Sequence, residues 1–123
     1  MFERDYLVRM LVEFAASIRR AMQRARAEED LDGACMTLES SISNATDLDG
    51  EVLLSLSPES IAQVMQVSDV DPRVVTYIAH SMKLESEYLI ELNKKEKAEL
   101  RIAQANALAR AYDIDLDDDL PDV

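Results

Sequence analysis

The sequence is poor in the residues that make turns and covalent cross-links, since its 123 residues include two glycines, three prolines and one cysteine. A β-sandwich or β-barrel needs many turns, so this scarcity disfavours an all-β fold, whereas abundant Ala, Leu, Met, Glu, Lys and Arg favour helices. The single thiol of Cys35 excludes an intramolecular disulfide and suits a reducing compartment. We therefore expect an all-α protein, and we expect it to be cytoplasmic.

Histidine and cysteine, two residue types that often act as catalytic groups or metal ligands, are also scarce. His80 is the only histidine, so one chain cannot supply a pair of histidine ligands. Cys35 has acidic sequence neighbours, which do not activate a thiol. Alternate aspartates from position 113 imitate the start of a calcium loop, but Asp118 occupies the sixth position, where that loop requires glycine. We predict no catalytic residue, no metal site and no cofactor, and hence a protein that is not an enzyme.

Positive charge is missing from large parts of the chain, whose net charge is −12. Residues 28–72 hold eleven acidic side chains and no Lys or Arg, and six aspartates lie in 113–123. Residues 1–27, in contrast, carry a net charge of +3, and residues 73–112 carry +2. So acidic a chain is unsuited to phosphate backbones, and no apolar run approaches the length of a membrane span. We expect no nucleic-acid partner and no membrane span.

The strongest pattern that is present is an apolar stripe along the first 26 residues. Steps of three and four residues place its members on one side of a helix. They are Leu7, Leu11, Phe14, Ile18, Ala21 and Ala25, with Tyr6, Met10, Ala15 and Met22 widening the stripe. A stripe this wide must be covered by the rest of the chain, by a second copy or by a partner. We predict that Tyr6, Met10, Phe14 and Ile18 bind a protein partner, with the alternative that they are core residues.

Start signals divide the rest of the chain into further helices. Ser57-Pro58 and Asp71-Pro72 each combine a capping residue with a proline in the first turn. We predict helices at about 30–46, 51–56, 58–67, 72–92 and 95–112. At 93–97 a tight turn is favoured over one continuous helix of about 40 residues, because the inward stripe loses register there. Residues 1–112 then form a single-domain bundle of about five helices, followed by an acidic, flexible tail at 113–123.

Two resemblances add to this prediction. The segment 79–106 resembles a single tetratricopeptide repeat in its spacing of large and small residues, namely Met82, Ser86, Leu89, Ala98, Ile102 and Ala105. It departs from that pattern at Glu85, where leucine is usual, and at Arg110, where proline is usual. The opening Met-Phe-Glu-Arg-Asp-Tyr-Leu-Val-Arg-Met is similar to that of a family of small bacterial helical proteins of unknown function with such hairpins downstream. These resemblances imply a fold and no activity.

The function that these patterns favour is a non-catalytic interaction or scaffold module, in which an apolar surface buries against a partner helix or a second copy. One alternative is a small-molecule or lipid pocket lined by Met10, Met22, Met65 and Met82, because methionine suits irregular cavities. Another is an acidic mimic of nucleic acid, suggested by the stretch 28–72. The charged residues around Glu85 and between Lys94 and Arg101 are interpreted as solvated helix faces.

Overall fold

The structure is a computed structural model that describes residues 2–121, with side chains from Asp5 onward. It contains six helices: α1 (Phe2–Arg26), α2 (Leu31–Thr46), α3 (Gly50–Leu54), α4 (Pro58–Val67), α5 (Pro72–Glu91) and α6 (Lys95–Tyr112). The prediction of a single-domain, all-α bundle is confirmed, and the short helix predicted at 51–56 is the five-residue α3. None of the helices in this range is both long enough and apolar enough to cross a membrane.

The helix starts form at the predicted capping residues. Ser57 Oγ accepts a hydrogen bond from the Ser60 N–H (3.2 Å), and Asp71 Oδ1 accepts one from the Arg73 N–H (2.9 Å). In both α4 and α5 a proline occupies the first turn, where its missing N–H costs no hydrogen bond within the helix. These starts were predictable because every group involved lies within three residues of the cap.

The helices end without glycine. Five residues adopt positive φ angles between 52° and 62°, namely Glu29, Asp47, Asp69, Asn93 and Asp113. Aspartate and asparagine enter this left-handed region more readily than other side chains. At Asn93 the turn ends α5, and the Asn93 and Lys94 N–H groups donate to the Ile90 and Leu89 carbonyls. The chain therefore turns at 92–94, and the favoured helical hairpin is confirmed over one continuous helix.

Two helix pairs form the body of the bundle. Helix α1 packs along α2 and helix α5 packs along α6, while the two pairs meet where α1 and α2 contact α5. Helix α4 covers α6. The Phe14 ring lies 5.8 Å from the Tyr77 ring, which joins α1 to α5. The largest apolar side chains that are completely buried are those of Leu38, Ile42, Ile61, Met65, Ile78, Met82, Leu89 and Leu108.

The acidic tail, which we expected to be flexible, packs against the bundle over its described part, residues 113–121. Three of its apolar side chains are partly buried against the core, those of Ile114, Leu116 and Leu120. Lys83 Nζ donates to the Leu116 carbonyl (3.0 Å), and Tyr77 Oη donates to the Pro121 carbonyl (2.6 Å). The apolar residues alternate with exposed aspartates, so burial of one set leaves the carboxylates in solvent. Positions 122 and 123 lie outside the described residues.

Removal of the Tyr77 hydroxyl is expected to loosen this segment without unfolding the bundle. Tyr77→Phe keeps the ring contact with Phe14 but deletes the hydrogen bond to Pro121, a loss of about 1 kcal/mol. Amide hydrogen exchange of residues 114–120 should become roughly fivefold faster. Tyr6→Phe, which removes an exposed hydroxyl, is the control. Equal exchange in both variants would show that the Tyr77 hydroxyl does not hold the segment.

Candidate functional site

Helix α1 presents an apolar strip to solvent beside its core contacts. Val8, Val12 and Met22 are between 41% and 48% exposed, and Ala15 lies among them. Steps of three, four and seven residues keep these side chains on one side of the helix. We call Val8, Val12, Ala15 and Met22 the outer strip. It is the longest row of accessible apolar side chains along α1, and it is available for contact with another molecule.

The outer strip forms one wall of a groove whose other wall is the C-terminal segment. The groove has a volume of about 320 Å³. Val12, Ala15 and Met22 line it from α1, and Leu120 and Pro121 line it from the segment. The hydrogen bond from Tyr77 Oη to the Pro121 carbonyl holds the second wall in place. The groove is therefore preformed, as binding sites usually are.

The four residues predicted to bind a partner fall into two groups. Phe14 and Ile18 are buried in the core of the chain, so for these two the alternative assignment as core residues describes the structure. Tyr6 is 64% exposed and Met10 is partly buried, and both line a groove of about 380 Å³ between α1 and α2. The periodicity placed all four on one stripe but carried no information about which part of it α2 and α5 would cover. The accessible apolar surface of α1 is therefore on the two flanks of the stripe.

The methionines considered as the lining of a ligand pocket do not share one cavity in the described part of the chain. Met65 and Met82 are fully buried in the core. Met10 borders the groove between α1 and α2, whereas Met22 borders the groove beside the C-terminal segment. This arrangement gives no support to a methionine-lined pocket.

A group of charged residues that we interpreted as solvated surface lies inside the bundle. Glu85 on α5 is 0% exposed and Arg101 on α6 is 2% exposed. Arg101 Nε lies 2.7 Å from Glu85 Oε1, and Arg101 Nη2 lies 3.4 Å from Glu39 Oε2 on α2. The interpretation of these two residues as solvated was wrong, because α2 and the end of α3 cover the place where α5 and α6 meet.

Two side chains of α6 bind the backbone where α3 ends. Arg101 Nη1 donates to the Leu54 carbonyl (2.9 Å) and to Gln104 Oε1 (2.8 Å). Gln104 Nε2 donates to the carbonyls of Leu54 (2.9 Å) and Leu56 (2.8 Å). The last carbonyls of a helix lack partners within it, and here α6 supplies them. We call the following group the buried polar network: Glu39, Glu85, Arg101 and Gln104.

The two carboxyl groups of this network differ in acidity. Burial, helped by the neighbouring Glu39 and opposed by Arg101, raises the pKa of Glu85 to about 8. Burial alone would raise the pKa of Glu39, but the hydrogen bond with Glu85 and the charges of Lys97 and Arg101 outweigh it and lower the pKa. Glu85 Oε2 is buried and has no donor near it. A protonated Glu85 satisfies this atom by donating to the Glu39 carboxylate.

The sequence contained a signal for this network that we did not use. Glu85 lies three residues after Met82 and four before Leu89, both of which are buried. Arg101 has the same spacing relative to the buried alanines at 98 and 105. Because Glu85 and Arg101 follow the spacing of the buried residues on their helices, the pattern predicts that both side chains are buried. Their opposite charges on neighbouring helices indicate that they pair.

An open cavity of about 640 Å³ adjoins the network between α2, α3 and α6. Its lining includes Glu39 and Arg101 together with Asp49, Glu51 and Lys97. Within residues 2–121 no three His, Cys, Asp or Glu side chains form a group that could hold a metal ion. We assign no chemistry to this cavity.

The two residues examined as reactive groups lie apart from the network and the outer strip. Burial raises the pKa of the Cys35 thiol to about 12, so the thiol stays protonated at physiological pH and is a poor nucleophile. Burial, followed by the nearby charge of Lys83, lowers the pKa of His80, whose side chain is partly buried. We assign neither residue a chemical role.

Comparisons of the chain with known protein families, with curated proteins and with solved structures gave no match. The resemblances to a tetratricopeptide hairpin and to a family of bacterial helical proteins therefore stay predictions.

Proposed function

We propose that the protein is a non-catalytic protein–protein interaction module whose partner docks on the outer strip of α1. The observation that carries the proposal is the exposure of Val8, Val12 and Met22 on a helix whose Leu11, Phe14, Ile18 and Ala21 side chains are in the core. Since each of these side chains is already about half buried, covering the remainder contributes about 1 kcal/mol per side chain. The strip therefore supplies a driving force for association, and the groove beside Met22 accepts an apolar side chain of the partner.

The charge around the strip supports a partner with carboxylates at the contact. Residues 1–27 carry a net charge of +3 in a chain whose net charge is −12. Arg19 lines the groove beside the strip, and Arg26 lies exposed near the end of α1. Complementary charge guides the approach of a partner and fixes its register more than it adds affinity.

We also propose that α5 and α6 form a tetratricopeptide-like hairpin in a cytoplasmic bacterial protein. Support comes from burial of the positions that the repeat spacing uses, namely Met82, Ser86, Leu89, Ala98 and Ala105. Glu85, which departs from the repeat pattern, belongs to the buried polar network, so polar contacts replace apolar packing at this position.

A photoreactive side chain tests whether the outer strip docks a protein. Benzoylphenylalanine at position 12 is expected to give covalent protein adducts on irradiation, in the purified chain or in an extract of the producing cells. The same side chain at position 67 is the control, because Val67 is 87% exposed and lies on α4, away from the strip.

Adducts that form at position 12, are absent at position 67 and diminish in the Met22→Asp background support the proposal. Equal adduct yields at the two positions, or none at position 12 in either preparation, would overturn it. Far-UV circular dichroism of each variant confirms that the helices are retained.

A further inference from the structure

We infer that the partner of the outer strip is a second copy of this chain, bound with its α1 antiparallel to the first. This inference rests on the proposed function and names the partner of the same surface. It is carried by the order of charges along α1. Asp5 precedes the strip and Arg26 follows it, and both side chains are exposed.

The strip is arranged around a centre of small side chains. Ala15 lies midway between Val8 and Met22, and at a rise of 1.5 Å per residue each of these two lies about 10 Å from it. A two-fold axis at this point brings Val8 of one copy to Met22 of the other. The alanine at the centre lets the two helices approach closely.

The same axis pairs charges of opposite sign at both ends of the contact. The midpoint between Asp5 and Arg26 lies half a residue from Ala15, so Asp5 of each copy meets Arg26 of the other. A single register therefore provides both the apolar contact in the middle and the pairs of opposite charge at the ends.

A parallel arrangement does not satisfy these charges. It would place Arg19 against Arg19 and Arg26 against Arg26 of the second copy, and like charges at a helix contact are unfavourable. It would also place the two Asp5 carboxylates together. The charge order of α1 therefore selects the antiparallel orientation.

The groove beside the strip extends the contact. In the antiparallel register, Val8 of the second copy lies next to Met22, which lines the groove together with Leu120 and Pro121. The C-terminal segment of each copy thus covers part of the partner's α1.

Size-exclusion chromatography with light scattering tests whether a second copy binds. The mass of the wild-type chain is expected to rise from 13.8 kDa towards twice that value between about 10 μM and 1 mM protein. Val12→Asp should stay at the monomer mass throughout. Val67→Asp adds the same charge on α4 and should follow the wild type.

Cross-linking of cysteine variants tests the orientation. Val8→Cys and Met22→Cys chains are mixed and treated with a short flexible bismaleimide, and intact mass spectrometry separates the three possible dimers. The mixed product is expected to exceed both like-with-like products, because Val8 of two antiparallel copies lie about 21 Å apart. Cys35 is buried and its thiol is protonated, so it does not compete.

The outcomes separate this inference from the proposed function. If the chain is a monomer at every concentration, the inference that the partner is a second copy is overturned. Adducts of position 12 with another protein would then still support the proposed function. A dimer that gives Val8–Val8 and Met22–Met22 products overturns the antiparallel orientation alone. A monomer without any position-12 adduct overturns both proposals.

Discussion

Arg101→Leu is expected to lower the free energy of unfolding by about 3–5 kcal/mol, because it removes a buried charged donor and leaves the buried groups that it binds unsatisfied. The substitution deletes the 2.7 Å contact with Glu85 and one of the two donors to the Leu54 carbonyl. Two of the partners that it loses, Glu85 and Gln104, are each 0% exposed. Urea denaturation followed by far-UV circular dichroism measures the loss.

Lys97→Leu is the matched control, since Lys97 lies one turn away on α6 and pairs with Glu39 at the surface (3.2 Å). Its side chain is exposed, so the loss should be within about 1 kcal/mol. The double variant Arg101→Leu/Glu85→Leu should recover part of the stability lost in Arg101→Leu, because apolar replacement of both partners leaves no unsatisfied Glu85 carboxyl in the core. Equal losses in Arg101→Leu and Lys97→Leu would show that the network contributes no more than a surface pair.

Glu85→Gln is expected to make the protein more stable at alkaline pH and to flatten its dependence on pH. The pKa of Glu85 in the folded chain is about 8, against an ordinary value of 4.5. The folded state therefore holds a proton that the unfolded state releases, and the stability that this proton provides is lost as pH rises from about 4.5 to about 8. Glutamine has the shape of the protonated acid and keeps both an acceptor for Arg101 and a donor for Glu39.

Urea denaturation at intervals from pH 5.5 to 9 measures this effect. The wild type should lose roughly 2–4 kcal/mol across this range through Glu85, since each unit of pKa shift corresponds to about 1.4 kcal/mol, whereas Glu85→Gln should lose little. Glu87→Gln changes an exposed residue on the same helix and should follow the wild type. If Glu85→Gln ran parallel to the wild type at all pH values, Glu85 would be ionised in the folded protein.

The buried polar network and the outer strip have separate physical roles in this account. The network ties α2, α3, α5 and α6 together, so changes there alter the stability of the bundle. The outer strip makes no comparable contact within the chain, so changes there alter association. A variant such as Val12→Asp should therefore change the oligomeric state at constant stability, and Glu85→Gln should do the reverse.

Local chemistry made most of the helices predictable. The caps Ser57 and Asp71 bind N–H groups two or three residues away, and the stripe of α1 repeats at the period of the helix. Such features depend on neighbours in sequence and need no information about the rest of the fold. The all-α class and the start of each long helix followed from them.

The tail shows where composition misleads. Six aspartates in 113–123 suggested a solvated segment, yet Leu116 and Pro121 accept hydrogen bonds from α5, more than thirty residues earlier in the chain. The apolar residues between the aspartates bury only because a surface of α5 and α6 happens to lie within reach. No pattern within the tail specifies that surface.

The amino-acid sequence alone thus accounts for the helices, their ends, the acidity of the chain and the apolar face of α1. Tertiary packing decided which residues of that face are core and which are free, and it turned Glu85 and Arg101 from an expected solvated surface into a buried pair. The physical reason is that periodicity describes one helix at a time. Burial and pKa depend on which helices cover a side chain, and that is set by contacts between residues far apart in sequence.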